Sequence, residues 1–127
     1  MYLADAYAWV EYFKGTSKGK RAAGIIDDPG QDIFTLESTL AEIKGWALRE
    51  KKPFEDLYGV IRRNSAIVHS PLEDWLKAAE LRSDIRRKVP GFGMMDALVL
   101  AAAQRSGFTV LTGDPHFRKM AGVFFLG

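Results

Sequence analysis

The stretch GMMDALVLAAAQRSGFTVLTGDPHF, Gly93–Phe117, carries in order an apolar helix, its stop signal, a strand and an acidic turn. Met94–Arg105 is almost wholly apolar in its first ten positions, and a helix apolar all round belongs in an interior. Gly107 supplies the left-handed stop such helices favour. Thr109–Leu111 is short and β-branched enough to be a strand. Asp114-Pro115 then opens a turn or short helix that runs to about Met120.

The same alternation extends outward in both directions. Tyr2–Ala4 reads as a strand ending at Asp5, and Ala6–Lys14 as a helix. A second helix is predicted over Lys18–Asp27, broken by Asp28-Pro29-Gly30. Asp32–Leu36 is a short strand, followed by a helix over Thr39–Arg49 whose stripe of Leu40, Ile43 and Ala47 has helical spacing. Pro53 opens a helix to Asn64. Ala66–Val68 is a strand, Pro71 starts a long helix that fades near Lys88, and Val123–Leu126 is a last strand. Strands alternating with helices imply an α/β layer fold with a mainly parallel sheet. With no linker, repeat or low-complexity segment, residues 1–127 are expected to form a single domain.

Composition sets the limits on chemistry. Hydrophobic residues make up 47% and charged residues 27% of the chain, an ordinary globular balance. The absence of cysteine excludes disulfides, thiolate zinc sites and a cysteine nucleophile, and fits a reducing cytoplasm. The opening MYLADAYAWVEYF carries Asp5 and Glu11 within its apolar stretch and has no basic leader, so it is not expected to be a secretion signal. No run approaches the roughly 20 apolar residues that span a bilayer. A net charge of +2 permits a nucleic-acid partner without demanding one.

The informative residues are carboxylates in awkward places. Asp96 is the only polar residue in MMDALVLAAA. An ionised carboxylate there is costly unless something positive or hydrogen-bonding meets it, although a first-turn acid that caps its own helix is the competing reading. Asp5 follows a strand, where open parallel sheets bind their ligands, but it too can cap the helix that follows. Asp114 in LTGDPHF carries the same two readings. Glu42 in TLAEIKGW lies on the shoulder of its helix's apolar stripe, one turn before Trp46; alone it reads as a surface acid. If the acids converge they repel, by roughly 3 kcal/mol for a pair about 5 Å apart at an effective dielectric near 20. Protonation or a bound cation must then offset that. Oxygen ligands suit Mg²⁺ or Mn²⁺.

Four blocks in order resemble those of PIN-domain ribonucleases, especially the VapC-like toxins of toxin–antitoxin pairs. LADAYAWVEYF places an acid at Asp5, TLAEIKGWA a glutamate at Glu42, and GMMDALVLAAAQRSGFTVLTGDPHF acids at Asp96 and Asp114 with a T-x-D turn at Thr112. The resemblance implies a three-layer α/β/α fold with a four- to five-stranded, mainly parallel sheet. It implies cleavage of RNA with Mg²⁺ or Mn²⁺ held by Asp5, Glu42, Asp96 and Asp114, with Thr112 bonding the scissile phosphate or a ligand carboxylate. It also implies a homodimer, and an antitoxin protein as partner. A divalent ion would lower the pKa of water and neutralise charge on the phosphate. The chain departs from the pattern at Tyr7, where Ser, Thr or Asn is common, and at His116, where many members have a further acid.

Two other readings stand beside this one. One is a catalytically weak or inactive regulatory or RNA-binding module on the same scaffold. The other is a phosphoacceptor of the receiver type, which would want an acidic doublet after its first strand and a lysine after its last; neither occurs. His116 beside Asp114 is either a contact to substrate or metal or a turn histidine in solvent, and His69 reads as a loop residue. The basic groups Lys51-Lys52, Arg62-Arg63, Arg82 and Arg86-Arg87-Lys88 either bind phosphates or are solvated helix faces. Trp9, Tyr12, Phe13, Trp46 and Phe54 are expected to pack in the core or an interface, and Gly91-Phe92-Gly93 to act as a flexible joint that sets the Asp96 helix. No G-x-S-x-G nucleophile elbow is present.

Overall fold

The computed structural model describes residues 1–127. Five strands, β1 (Tyr2–Ala4), β2 (Ile33–Leu36), β3 (Ala66–Val68), β4 (Thr109–Thr112) and β5 (Val123–Phe125), form one sheet in the order β3-β2-β1-β4-β5, and every pairing is parallel. Helices α1 (Ala6–Lys14) and α2 (Ser17–Ile26) connect β1 to β2. Helices α3 (Glu37–Arg49) and α4 (Phe54–Asn64) connect β2 to β3, and α5 (Leu72–Ile85) and α6 (Met94–Ser106) connect β3 to β4. A 3₁₀ turn, Pro115–Phe117, leads to β5.

The sheet is covered on both faces, as parallel sheets require. Ala4, Ile33 and Leu111 pack with Ala8, Trp9, Ala22, Ile26, Ile43 and Ile61 from α1–α4. Leu3, Leu36 and Val110 pack on the other side with Ala78 of α5, the buried run Ala97–Ala103 of α6, and Phe92 and Phe117. This is the expected α/β/α sandwich, with α6 as its buried helix. Asp74 on α5 is buried and takes two hydrogen bonds from Arg105, at 2.7 and 3.0 Å, which tie α5 to α6.

Element boundaries shift by a few residues from the sequence expectation, each for a local reason. Helix α2 starts at Ser17 because the Thr16 hydroxyl caps it by accepting from Gly19 N. Helix α3 starts at Glu37, directly on the end of β2. Helix α5 stops at Ile85, and its last turn loosens into turns over Arg86–Lys88. The Gly91–Gly93 joint is anchored rather than free. Phe92 is fully buried and meets Phe117 edge-on with ring centroids 5.4 Å apart.

Candidate active site

The chain leaves β1 toward β2 and β3 on one side, and returns through β4 to β5 on the other. The direction therefore reverses between β1 and β4, and a parallel sheet opens a crevice at the carboxyl ends of two such strands. Asp5 directly follows β1, and Thr112 closes β4. Backbone pairing continues past the strand end, with Asp5 N donating to Leu111 O at 3.2 Å. A cleft of about 560 Å³ opens here, lined among others by Asp5, Glu42, Asp96 and Asp114. The four carboxylates named from sequence thus border one space.

Three of the acids hold helix starts as well. Asp5 Oδ1 accepts from Ala8 N at 2.8 Å and caps α1. Asp96 Oδ2 accepts from Gly93 N at 3.0 Å at the start of α6. Asp114 Oδ1 accepts from His116 N at 2.9 Å and caps the 3₁₀ turn. The choice between cap and cleft posed by the sequence is therefore no choice. Each aspartate is both, and the partial positive charge of the amides it caps helps it tolerate its neighbours. Thr112, fully buried, knits the group together. Its hydroxyl donates to Asp5 Oδ2 and accepts from Asp114 N at 3.0 Å.

Burial first, and the neighbouring acids after it, raise the pKa of three of the four carboxylates. Burial pushes the Asp5 carboxyl up to about 7, against the lowering hydrogen bonds from Thr112 and Ala8 and with added repulsion from Asp114 and Asp96. Glu42, an exposed residue on the cleft rim as its sequence suggested, is also raised to about 7, by the partial burial of its carboxyl against the cleft wall and then by Asp96 and Asp114. Asp96 is raised by desolvation and Asp114, partly offset by Gly93 N and His116.

His116 joins this group through its Nδ1, although its side chain is still 40% exposed. Its Nδ1 lies 3.3 Å from Asp114 Oδ1 and 3.5 Å from Asp96 Oδ2. That nitrogen is sealed from water yet aligned with neither oxygen for a hydrogen bond. Asp96, Asp114 and His116 each offer one ligating atom, all within 4.8 Å of one another. Crowded carboxylates and an unpartnered ring nitrogen fit a divalent cation, which would satisfy both.

The rest of the cleft comes from helix faces. Helix α1 contributes Tyr7, Val10, Glu11 and Lys14, and α3 contributes Glu42, Trp46 and Arg49. Both sets have helical spacing. Trp46 is thus a half-buried cleft wall instead of a core residue, whereas Trp9 is fully buried and stacks with Phe13. The cations bordering the cleft are Lys14 and Arg49, not the basic runs picked out from sequence. Tyr7 packs on Gly113, where a Cβ would come within 2.7 Å of its ring, and its hydroxyl accepts from Lys18 Nζ at 3.3 Å. His69 is an exposed loop residue 2.7 Å from Glu37. Among the residues the sequence reading missed, Trp46 was signalled by its position one turn after Glu42. Lys14 and Arg49 carried no comparable signal.

An open parallel sheet with an acidic cleft at its switch point defines a class of α/β protein, and comparison with known proteins narrows it. Residues 2–123 match the family described as the PIN domain, so the chain belongs to the PIN-domain family. No curated protein matches the chain at the level of sequence. Among solved structures, the VapC20 toxin of Mycobacterium tuberculosis, described as cleaving the sarcin–ricin loop, aligns with a TM-score of 0.75 at 15% identity over 95% of each chain. A toxin–antitoxin complex from Klebsiella pneumoniae aligns at 0.71 and 18% identity, covering 100% of this chain and 98% of that one. DNA-bound VapBC from Salmonella typhimurium aligns at 0.70 and 15% identity, covering 99% and 98%. At these identities the likeness establishes a shared fold.

Proposed function

We propose that this chain is a metal-dependent endoribonuclease, the toxin of a toxin–antitoxin pair, acting as one domain in the cytoplasm. The observation that carries this is the meeting of Asp5, Glu42, Asp96 and Asp114, from four separate segments, around one cleft at the sheet's switch point. Family membership supports nuclease chemistry. The toxin structures that share the fold support an antitoxin partner and RNA as substrate. No helix is long and apolar enough to cross a membrane.

In this reading Asp5, Asp96, Asp114 and Glu42 hold Mg²⁺ or Mn²⁺, directly or through water. The ion, when bound, supplies a lowered pKa for water and neutralises charge on the phosphate and its leaving oxygen. The chain's own residues do the rest. Thr112 fixes the rotamer of Asp5 through its hydroxyl and keeps Asp114 beside it. Glu42, on the cleft rim, holds the ion or orients a water bound to it. Lys14 and Arg49 meet phosphates flanking the scissile one, and Trp46 offers a face for an unstacked base.

The test is cleavage of single-stranded RNA by purified protein with Mn²⁺, against Asp96→Asn and Asp5→Asn. Either substitution is expected to lower the rate by about a hundredfold or more, as loss of a charge-stabilising group does, while the fold is kept because Asn preserves a capping oxygen. Unchanged metal-dependent cleavage by either variant would overturn the assignment. A wild-type chain that binds no Mn²⁺ and cuts no RNA would instead be the inactive module.

A further inference from the structure

The ring of His116, 40% exposed, sits where one edge faces two carboxylates and the other faces a glycine. It lies over Gly91, where a Cβ would come within 2.6 Å of Nε2 and 3.2 Å of Cε1, so the missing side chain is what makes room for it. Its backbone N–H is tied to Asp114 Oδ1. Behind it, Phe92 and Phe117 lock the two chain segments together. The result aims Nδ1 between two carboxylates and seals it from water with no hydrogen-bond partner of its own.

From this we infer that His116 Nδ1 is a ligand of the bound ion, so that the site prefers a first-row transition ion such as Mn²⁺ or Co²⁺ over Mg²⁺. The inference rests on the metal-binding part of the proposed function. Its physical basis is donor chemistry. Mg²⁺ demands a compact octahedron of oxygens and sheds water reluctantly, whereas a site that mixes nitrogen with oxygen donors binds first-row ions in a rising order, Co²⁺ above Mn²⁺. An acid at position 116 would add an oxygen and a negative charge. Histidine adds a nitrogen and no negative charge, in a place already crowded with Asp96 and Asp114. A structural imidazole that merely bridges the two acids is the competing outcome of the test.

Mn²⁺ is the probe, read by electron paramagnetic resonance on the whole chain. In the wild type, pulsed spectra should show ¹⁴N coupling from a directly bound ring nitrogen. Competition should show Mn²⁺ displaced only by a large excess of Mg²⁺. In His116→Asn the ¹⁴N coupling should vanish and the preference for Mn²⁺ over Mg²⁺ should fall by about tenfold, the scale on which even outer partners of metal ligands act. Gly91→Ala leaves the histidine and every acid in the sequence but pushes the ring off its seat. It should weaken or abolish the coupling in a chain that still binds Mn²⁺. Bound Mn²⁺ without ¹⁴N coupling, with an unchanged ion preference in His116→Asn, overturns this inference and leaves the nuclease reading standing. A wild-type chain that binds no Mn²⁺ overturns both.

Discussion

At the scale of single residues, the most informative quantity is the raised pKa of Asp5. Its ordinary value of 3.8 moves to about 7 in the folded chain, chiefly through burial. Between those values the folded state holds a proton that the unfolded state has released. Stability of the metal-free chain therefore falls as pH rises from about 4 to 7 and levels off above that. Glu42, raised from 4.5 to about 7, acts in the same direction. Thermal unfolding in the presence of a chelator, wild type against Asp5→Asn, checks this. The variant should lose most of Asp5's share of the slope, a difference on the order of 2–4 kcal/mol across that window. Identical slopes would show that Asp5 is not strained. Asp96 was visible in the sequence as a polar residue where an apolar one was due, and Asp5 and Asp114 because each follows a strand. Thr112 was expected from the resemblance to bond the scissile phosphate or a ligand carboxylate, and its hydroxyl donates to the Asp5 carboxylate; its second bond, accepted from Asp114 N, carried no signal in the sequence.

Among the elements, the cleft depends on how closely α1 meets its neighbours. At the α1–α2 crossing, a Cβ on Gly19 would come within 1.8 Å of Glu11 O, a backbone atom that cannot swing aside. Gly19→Ala is expected to force the two helices apart at a cost of about 1–3 kcal/mol. That corresponds to a loss of roughly 5–10 °C in melting temperature. A melting temperature equal to the wild type's would contradict this packing. Gly19 was not legible as a crossing point, since a glycine inside a helical run shows only that no side chain is wanted there. The same limit explains Lys14 and Arg49. Their positions on α1 and α3 follow from the helical pattern, but the meeting of those two faces follows from docking between helices that are not neighbours in sequence. By contrast, strands such as Tyr2–Ala4 and Ala66–Val68 were legible to the residue, because a short apolar run between turn signals leaves little freedom.

For the molecule as a whole, the surface of α5 bears on assembly. Leu72, Trp75 and Leu76 are exposed at helical spacing, an apolar stripe without a partner in the chain. A homodimer, the assembly that the resemblance to VapC-like toxins implies, is expected to bury it. Size-exclusion chromatography with light scattering should give a dimer for the wild type and a monomer for Trp75→Glu; a dimer that survives the substitution would place the contact elsewhere. The parallel sheet and its sandwich were legible from alternation alone, but a stripe like this was hidden within an ordinary amphipathic helix. The double duty of Asp5, Asp96 and Asp114 has a last consequence for how this molecule can change. In the proposed nuclease each of these side chains serves hydrolysis and also keeps a turn of backbone from fraying. The cheapest path to a silent descendant therefore runs through asparagine or serine, which keep the backbone bond and give up the charge. A dead copy would be hard to tell from a working one by its shape.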